Sequence, residues 1–254
     1  LEIPALKIAF IVPYRDREEH KHFFEKYMKY ILEDYDSSSY DILYIHQDNE
    51  LPFNRGAMKN IGFLYLKHAY PDKYKEITLV FHDIDTVPYR KNLLDYETKK
   101  GSIKHFFGYS FALGGIFSIK GSDFEKIDGF PNYWQWGFED NVIHKRALEE
   151  NLIIDRSEFY KIGSHKILHF CDAIHKVLNR DVLQNQFNKK YIEEDGLSKL
   201  QNVKFDKKDN IVRVSKFETF YSYKNDTLIS YPITNGSKII NPKNQKQNKT
   251  LLFI

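Results

Sequence analysis

Lys7-Ile8-Ala9-Phe10-Ile11-Val12-Pro13-Tyr14-Arg15-Asp16-Arg17 is the stretch that decides how this chain folds. An unbroken apolar run closed by a proline has the composition of a strand buried on both faces. The loop behind it carries two arginines and an aromatic ring. It leads at once into a helix with Phe23, Phe24, Tyr27, Met28 and Ile31 at helical spacing. Open α/β sheets bind ligands at the carboxyl ends of their strands, so a loop of this kind is how such a sheet presents a nucleotide site. Taken alone, it also reads as a surface loop with incidental arginines.

The same unit recurs twice. Ile42-Leu43-Tyr44-Ile45 is a second strand, leaving through Gln47-Asp48-Asn49 and Phe53-Asn54-Arg55-Gly56 into a helix marked by Met58, Ile61, Leu64 and Tyr65. Ile77-Thr78-Leu79-Val80-Phe81 is a third, running straight into His82-Asp83-Ile84-Asp85. Three strand-to-helix units in series predict an α/β fold: an open, mostly parallel twisted sheet flanked by helices. Further on, Ile211–Val214 and Thr227–Tyr231 flank the turn-forming Lys224-Asn225-Asp226, which predicts a small antiparallel C-terminal element. The expected organisation is one large domain over residues 1–200, a C-terminal β element over 201–240 packed on it, and a polar tail over 241–254.

The chain's 254 residues suffice for a substantial core, and its 18 Tyr and 20 Phe favour an ordered protein. With 38 basic against 35 acidic residues and no basic stripe, a dedicated nucleic-acid binder is disfavoured. No apolar run reaches the roughly 18 residues of a membrane span. The single cysteine, Cys171, excludes an internal disulfide and, with no signal sequence, favours the cytoplasm; an anchor trimmed upstream of Leu1 would instead place the chain in a lumen.

Three places carry chemistry. Asp83-Ile84-Asp85 follows an apolar strand, and alternate carboxylates there suit a hard divalent cation that also holds a diphosphate, although Asp-x-Asp by itself is most often an exposed turn. Gly114-Gly115 permits positive φ or close approach of backbone to a ligand. Trp134-Gln135-Trp136-Gly137-Phe138-Glu139-Asp140 contains both tryptophans of the chain and ends in two carboxylates where an amphipathic helix begins. An aromatic face beside acceptor oxygens suits a sugar; a tryptophan-rich core corner with helix-capping acids accounts for it equally well. His165, His169, Asp172 and His175 form a later cluster consistent with mixed N/O metal coordination.

In order, these motifs resemble the beta-1,4-galactosyltransferase family (glycosyltransferase family 7), inverting enzymes with a GT-A fold. Ile11–Arg17 resembles its opening strand and uridine-diphosphate loop, Phe53-Asn54-Arg55 its second donor loop, and Asp83-Ile84-Asp85 its metal-binding motif. Gly114-Gly115 is similar to its double glycine, Gly129-Phe130-Pro131-Asn132-Tyr133-Trp134-Gln135-Trp136-Gly137 with Glu139-Asp140 to its most specific segment, and Asp195-Gly196-Leu197 to a later tripeptide. The resemblance covers roughly Ile8 to Leu200 and implies Mn²⁺ on Asp85 and His169. It implies donor contacts from Pro13, Tyr14, Arg15, Arg17, Phe53, Arg55 and Asp83, and sugar or acceptor contacts from Trp136, Gly114, Gly115 and Glu139. Asp140 would be the general base, with a UDP-sugar as donor and a glycan as acceptor. This chain departs from the family pattern at Phe138 in place of a glycine and at Asn141 in place of an acid. Lys166 falls where a third metal ligand is expected, so His165 or water must substitute. Ala112 and Leu113 stand where an aromatic tunes donor choice, leaving room for an N-acetylhexosamine as well as a hexose. The altered metal cluster leaves an alternative open, a glycan- or UDP-binding module that has lost turnover.

Overall fold

The computed structural model describes residues 6–135, 137–170, 175–179, 195–221 and 228–232. Strand β1 (Ile8–Tyr14) is buried along its whole length. Its side chains divide by parity, as the two-residue period of a strand requires. Ile8, Phe10, Val12 and Tyr14 pack with Phe24, Met28 and Ile31 of helix α1 (Glu18–Ile31). Ala9 and Ile11 face Ala57, Met58, Ile61 and Leu66 of helix α2 (Arg55–Ala69) on the other side. Each fully buried aliphatic or Phe side chain contributes about 1.5–3 kcal/mol, so helices cover both faces and the unbroken apolar run is explained.

Strands β2 (Tyr40–Gln47) and β3 (Thr78–His82) flank β1, both parallel to it. Beyond β3 lie β6 (Ile116–Lys120), β5 (Ser102–Gly108) and β7 (Ile153–Asp155), with β8 (Tyr160–Lys161) also paired to β5. The β3–β6 and β6–β5 pairings are antiparallel while β5 pairs parallel with β7 and β8, so the nine-stranded sheet is mixed, with one parallel group centred on β1. A small sheet pairs β4 (Thr86–Pro88) with β9 (Ile167–His169), and another pairs β10 (His175–Asn179) with β13 (Leu228–Pro232), both antiparallel. Helices α3 (Gly121–Lys126) and α4 (Glu139–Glu149) complete the core. No helix among the described residues is long and apolar enough to cross a membrane.

Two expectations are corrected. The third strand-to-helix unit has no helix: β3 runs through Asp83–Asp85 straight into the short strand β4. Ile211–Val214 does not form a hairpin with Thr227–Tyr231. It belongs to β12 (Ile211–Glu218), which pairs antiparallel with β11 (Gln201–Lys208) and parallel with β2, placing Ile211 opposite Tyr44 and Val214 opposite Gln47. Burial decides this. Val212, Val214 and Phe217 reach the core under α2 only if β12 lies beside β2, and that outweighs the local turn chemistry of 224–226, which lies outside the described residues.

Candidate functional site

The carboxyl ends of β1, β2 and β3 lie side by side, and their loops make one edge of the sheet. β3 ends at His82 and turns sharply through Asp83, whose carbonyl accepts from Thr86 N and Thr86 Oγ1 while its own N–H donates to Gly115 O at 3.1 Å. From the far side, Glu139 and Asp140 open α4, where the helix dipole favours carboxylates. Arg55 begins α2, capped by Asn54, whose side chain accepts from Ala57 N.

These groups meet. Arg55 grips Asp83 in a fork, Nε and Nη2 to Oδ1 at 3.0 and 2.7 Å and Nη2 to Oδ2 at 2.8 Å. Its Nη1 reaches Glu139 Oε1 at 2.8 Å and Asp140 Oδ1 at 2.9 Å. Burial opposes the charge on Arg55, but Asp140, Asp83 and Glu139 together hold its proton more firmly than usual. Burial would raise Asp83, but Arg55 and Lys59 outweigh it and hold the carboxyl below its ordinary range. Gly115 sits at φ +67°, the left-handed region that glycine enters without penalty. A Cβ on Gly114 would come within 2.4 Å of Asp140 Oδ2, so glycine there is what lets the carboxylate lie against the backbone.

Asp85 and His169 are brought together by β4 and β9. Thr86 lies opposite His169, and Phe170 N donates to Asp85 O at 2.8 Å, which sets His169 Nε2 3.8 Å from Asp85 Oδ2. His165 does not join them. It is exposed, in the turn that precedes β9, four residues before His169. Among the described residues no third His, Cys, Asp or Glu completes a cluster of metal-ligand type. Asp172 lies outside the described residues, and so do the side chain of His175 and Trp136.

On the donor side the expected contact residues have these places within the chain. Tyr14 is buried in the core and stacked on His46 at 4.8 Å, so its ring is a packing element; burial pushes its hydroxyl up. Arg55, expected on the nucleotide, is bound within the chain to Asp83, Glu139 and Asp140 and keeps 18% of its side chain exposed. Pro13 is buried within β1, and Arg15 Nη1 donates to Leu51 O, tying the first loop to the second. Arg17 occupies the N-cap position of α1. Phe53 O accepts from Gln135 N at 2.9 Å, joining the second loop to the tryptophan segment.

The tryptophan segment divides. Trp134 is core: its ring stacks on Phe217 at 5.4 Å and its Nε1 donates to Tyr221 O. Glu139, expected to hold sugar hydroxyls, is buried, with Oε1 on Arg55 and Oε2 accepting from Gly137 N. Phe138, at the glycine position of the family pattern, holds the left-handed φ of +54° that a glycine there would adopt freely.

Two further sets of residues support the site. Lys59, one turn beyond Arg55, is buried with Nζ 3.6 Å from Asp140 Oδ1 and 3.8 Å from Asp83 Oδ1. The i, i+4 spacing of two cations on an otherwise apolar face was the available signal. A second group is a buried polar lattice. Asn132 donates from N and Nδ2 to the two oxygens of Asp195, Asn60 donates to Asn132 Oδ1 and Phe130 O, and Asn54 donates to Asn132 O. Arg146 of α4 closes it through Asp128 O, Gly129 O and Asp195 O. Burial pushes the Asp195 carboxyl up to about 6 against those bonds. The Asp195-Gly196-Leu197 tripeptide thus anchors the irregular segment around Asn132 that precedes Glu139.

Residues 3–96 match the N-terminal region of glycosyl transferase group 7, and residues 101–171 match the family described as the N-terminal domain of galactosyltransferase, together more than half of the chain. The chain belongs to glycosyltransferase family 7. Among this family 7 chain's relatives, beta-1,4-galactosyltransferase 7 of Drosophila melanogaster is 29% identical over 212 residues, 78% of this chain and 62% of the relative. Bovine beta-1,4-galactosyltransferase 1 is 33% identical over 163 residues, 59% of this chain and 38% of the relative. The chain therefore spans less than two thirds of either. The crystal structure of the catalytic domain of the Drosophila enzyme with xylobiose superposes with a TM-score of 0.62 at 21% identity, covering 88% of this chain and 98% of that one. A mutant of the same enzyme with manganese, UDP-Gal and xylobiose gives 0.63 at 22% identity, with the same coverage. The likeness establishes the GT-A fold for this family 7 chain.

Proposed function

We propose that this chain is an inverting glycosyltransferase that moves a hexose or N-acetylhexosamine from a UDP-sugar to a hydroxyl of a glycan acceptor, with Asp140 as general base. The observation that carries the reading is the convergence of Asp140, Asp83 and Arg55 at the sheet edge where Asp85 and His169 also meet. The names of the relatives, and the manganese, UDP-Gal and xylobiose held by the Drosophila enzyme, support the same chemistry.

A divalent ion fits the residues present. The 3.8 Å between Asp85 Oδ2 and His169 Nε2 is a separation one ion spans, since such ligands bind at about 2.0–2.2 Å, and a mixed O/N pair suits Mn²⁺. When bound, the ion neutralises charge growing on the leaving diphosphate. The chain's own residues do the rest. Inversion needs a carboxylate on the face opposite the leaving group, and Asp140, fixed through Oδ1, has Oδ2 beside Gly114 to take the proton as the acceptor oxygen attacks the anomeric carbon. Arg55 keeps Asp83, Glu139 and Asp140 in one arrangement, so placement is set before substrate arrives.

The test is Asp140→Asn. Calorimetry should find Mn²⁺-dependent UDP binding within about threefold of wild type, while UDP release in the presence of acceptor falls by at least about a thousandfold; equal loss of both makes Asp140 structural. A screen of UDP-sugars names the donor. A second reading, a UDP- or glycan-binding module without turnover, draws on the pairing of only two metal-ligand side chains among the described residues. Tight UDP binding with no transfer from any UDP-sugar would favour it.

A further inference from the structure

Lys59 lies one turn past Arg55 on α2, so both cations leave the same face of the helix. Its side chain is 0% exposed, and Nζ stands 4.5 Å from the centre of the Phe130 ring. Among the described residues Nζ has no hydrogen-bond partner; what faces it are the carboxylates of Asp140 at 3.6 Å and Asp83 at 3.8 Å. Burying a lysine head is costly unless opposite charge meets it. Burial and the Arg55 guanidinium lower its pKa, while Asp140, Asp83 and Glu139 work the other way.

Charge balance gives the residue a task. Asp83, Glu139 and Asp140 against Arg55 alone would leave two uncompensated negative charges; Lys59 reduces that to one. Geometry gives it a direction. Arg55 Nη1 and Lys59 Nζ both approach Oδ1 of Asp140, whereas Oδ2 lies over Gly114.

We propose that Lys59 is a positioning residue: its head group, enclosed beneath the carboxylates, holds Asp140 by Oδ1 and so reserves Oδ2 for the acceptor proton. This rests on the reading of Asp140 as the base. The step conserves atoms, since the acceptor O–H bond breaks as the Oδ2–H bond forms and the acceptor oxygen bonds the anomeric carbon as the diphosphate leaves with its electron pair.

The experiment compares Lys59→Met with the wild-type chain, measuring kcat, donor KM and melting midpoint with Mn²⁺ and the UDP-sugar that the wild type uses. Methionine keeps the unbranched shape up to the ε position and loses the charged head. The expected result is a fall in kcat of about 10- to 100-fold, the range that a misplaced reacting group produces, with donor KM within about twofold and a folded protein. A folded Lys59→Met with wild-type kcat overturns the proposal. A loss confined to donor KM overturns it as well. Lys59→Arg, which keeps the charge and spoils the fit, should retain more kcat than Lys59→Met; the reverse order means that Lys59 is packing and overturns the assignment. Should Lys59→Met not fold, Lys59→Arg decides alone: kcat within about tenfold of wild type supports the proposal, and a folded variant below that refutes it. A wild-type chain that transfers nothing from any UDP-sugar sinks the transferase reading and this inference with it, whereas an active wild type with an indifferent Lys59→Met sinks only the inference.

Discussion

Arg55→Met tests the core of the site most directly. The guanidinium of Arg55 satisfies Asp83 through a fork and Glu139 and Asp140 through Nη1, and it is only 18% exposed. Removing it leaves three carboxylates facing Lys59 alone. Breaking a buried pair by deleting one partner costs about 3–5 kcal/mol, chiefly because charge is left unpaired. Asp83 and Asp140 keep about a quarter of their side-chain surface, so the lower end applies, about 3 kcal/mol. For a chain of this size that corresponds to a melting midpoint lower by roughly 6–12 °C. Arg55→Lys should recover only part of it, because a single ammonium cannot span three carboxylates. The assay is thermal melting by circular dichroism at neutral pH, repeated on Arg55→Met with Asp83→Asn, where one repelling charge is gone and the combined loss should be smaller than the sum. An Arg55→Met protein melting within about 2 °C of wild type would refute the clamp.

Other outcomes follow from the same geometry. Gly114→Ala places a methyl group 2.4 Å from Asp140 Oδ2, so kcat should drop about 100-fold with donor affinity retained, read by initial rates beside calorimetry. At Phe138 the left-handed φ of +54° costs a side chain about 1–2 kcal/mol, so Phe138→Gly should melt higher than Phe138→Ala, the reverse of the usual helix order. Acidification should destabilise the fold between pH 6.5 and 4. His82 and His105, buried and lowered to about 4, are neutral in the native state, so their contribution is complete above 6.5 and lost as pH falls through that window. Each is worth about 3 kcal/mol by linkage, and Asp195, raised to about 6, runs the opposite way and offsets about one of them. Denaturant titrations of His105→Gln across this range should show a flatter profile than wild type.

The parallel half of the fold was legible because β1 and β2 are apolar runs followed by helical periodicity and β3 is an apolar run of the same kind, and such patterns are local. The Asp85–His169 pair was legible as motif and order, although nothing local says that β4 and β9 are partners. Other features were not readable. Nothing in the sequence says that Arg55, a donor contact by resemblance, and Glu139, a sugar contact by its place beside the tryptophans, also bond each other across 84 positions. Lys59 hid within an apolar helix face. The Asn54, Asn60, Asn132 and Asp195 lattice joins positions far apart in the chain, and polar contacts of that kind leave no periodic trace. The hairpin expected around 224–226 failed for a related reason, since turn residues state where a chain can reverse and not which strand receives it.

β12 beside β2 also bears on how the chain is made. Residues 211–214 complete the ladder that begins at 44–47, a gap of about 165 residues and, at typical translation speeds, about 10–30 s during which β2 keeps a bare edge on the ribosome. An open apolar edge of that kind recruits foreign strands, and pairing so distant in sequence slows folding. Shortened chains ending before residue 211 should therefore precipitate where the longer one stays in solution, and the yield of active protein should depend on chaperones that shield β2 until its last neighbour emerges.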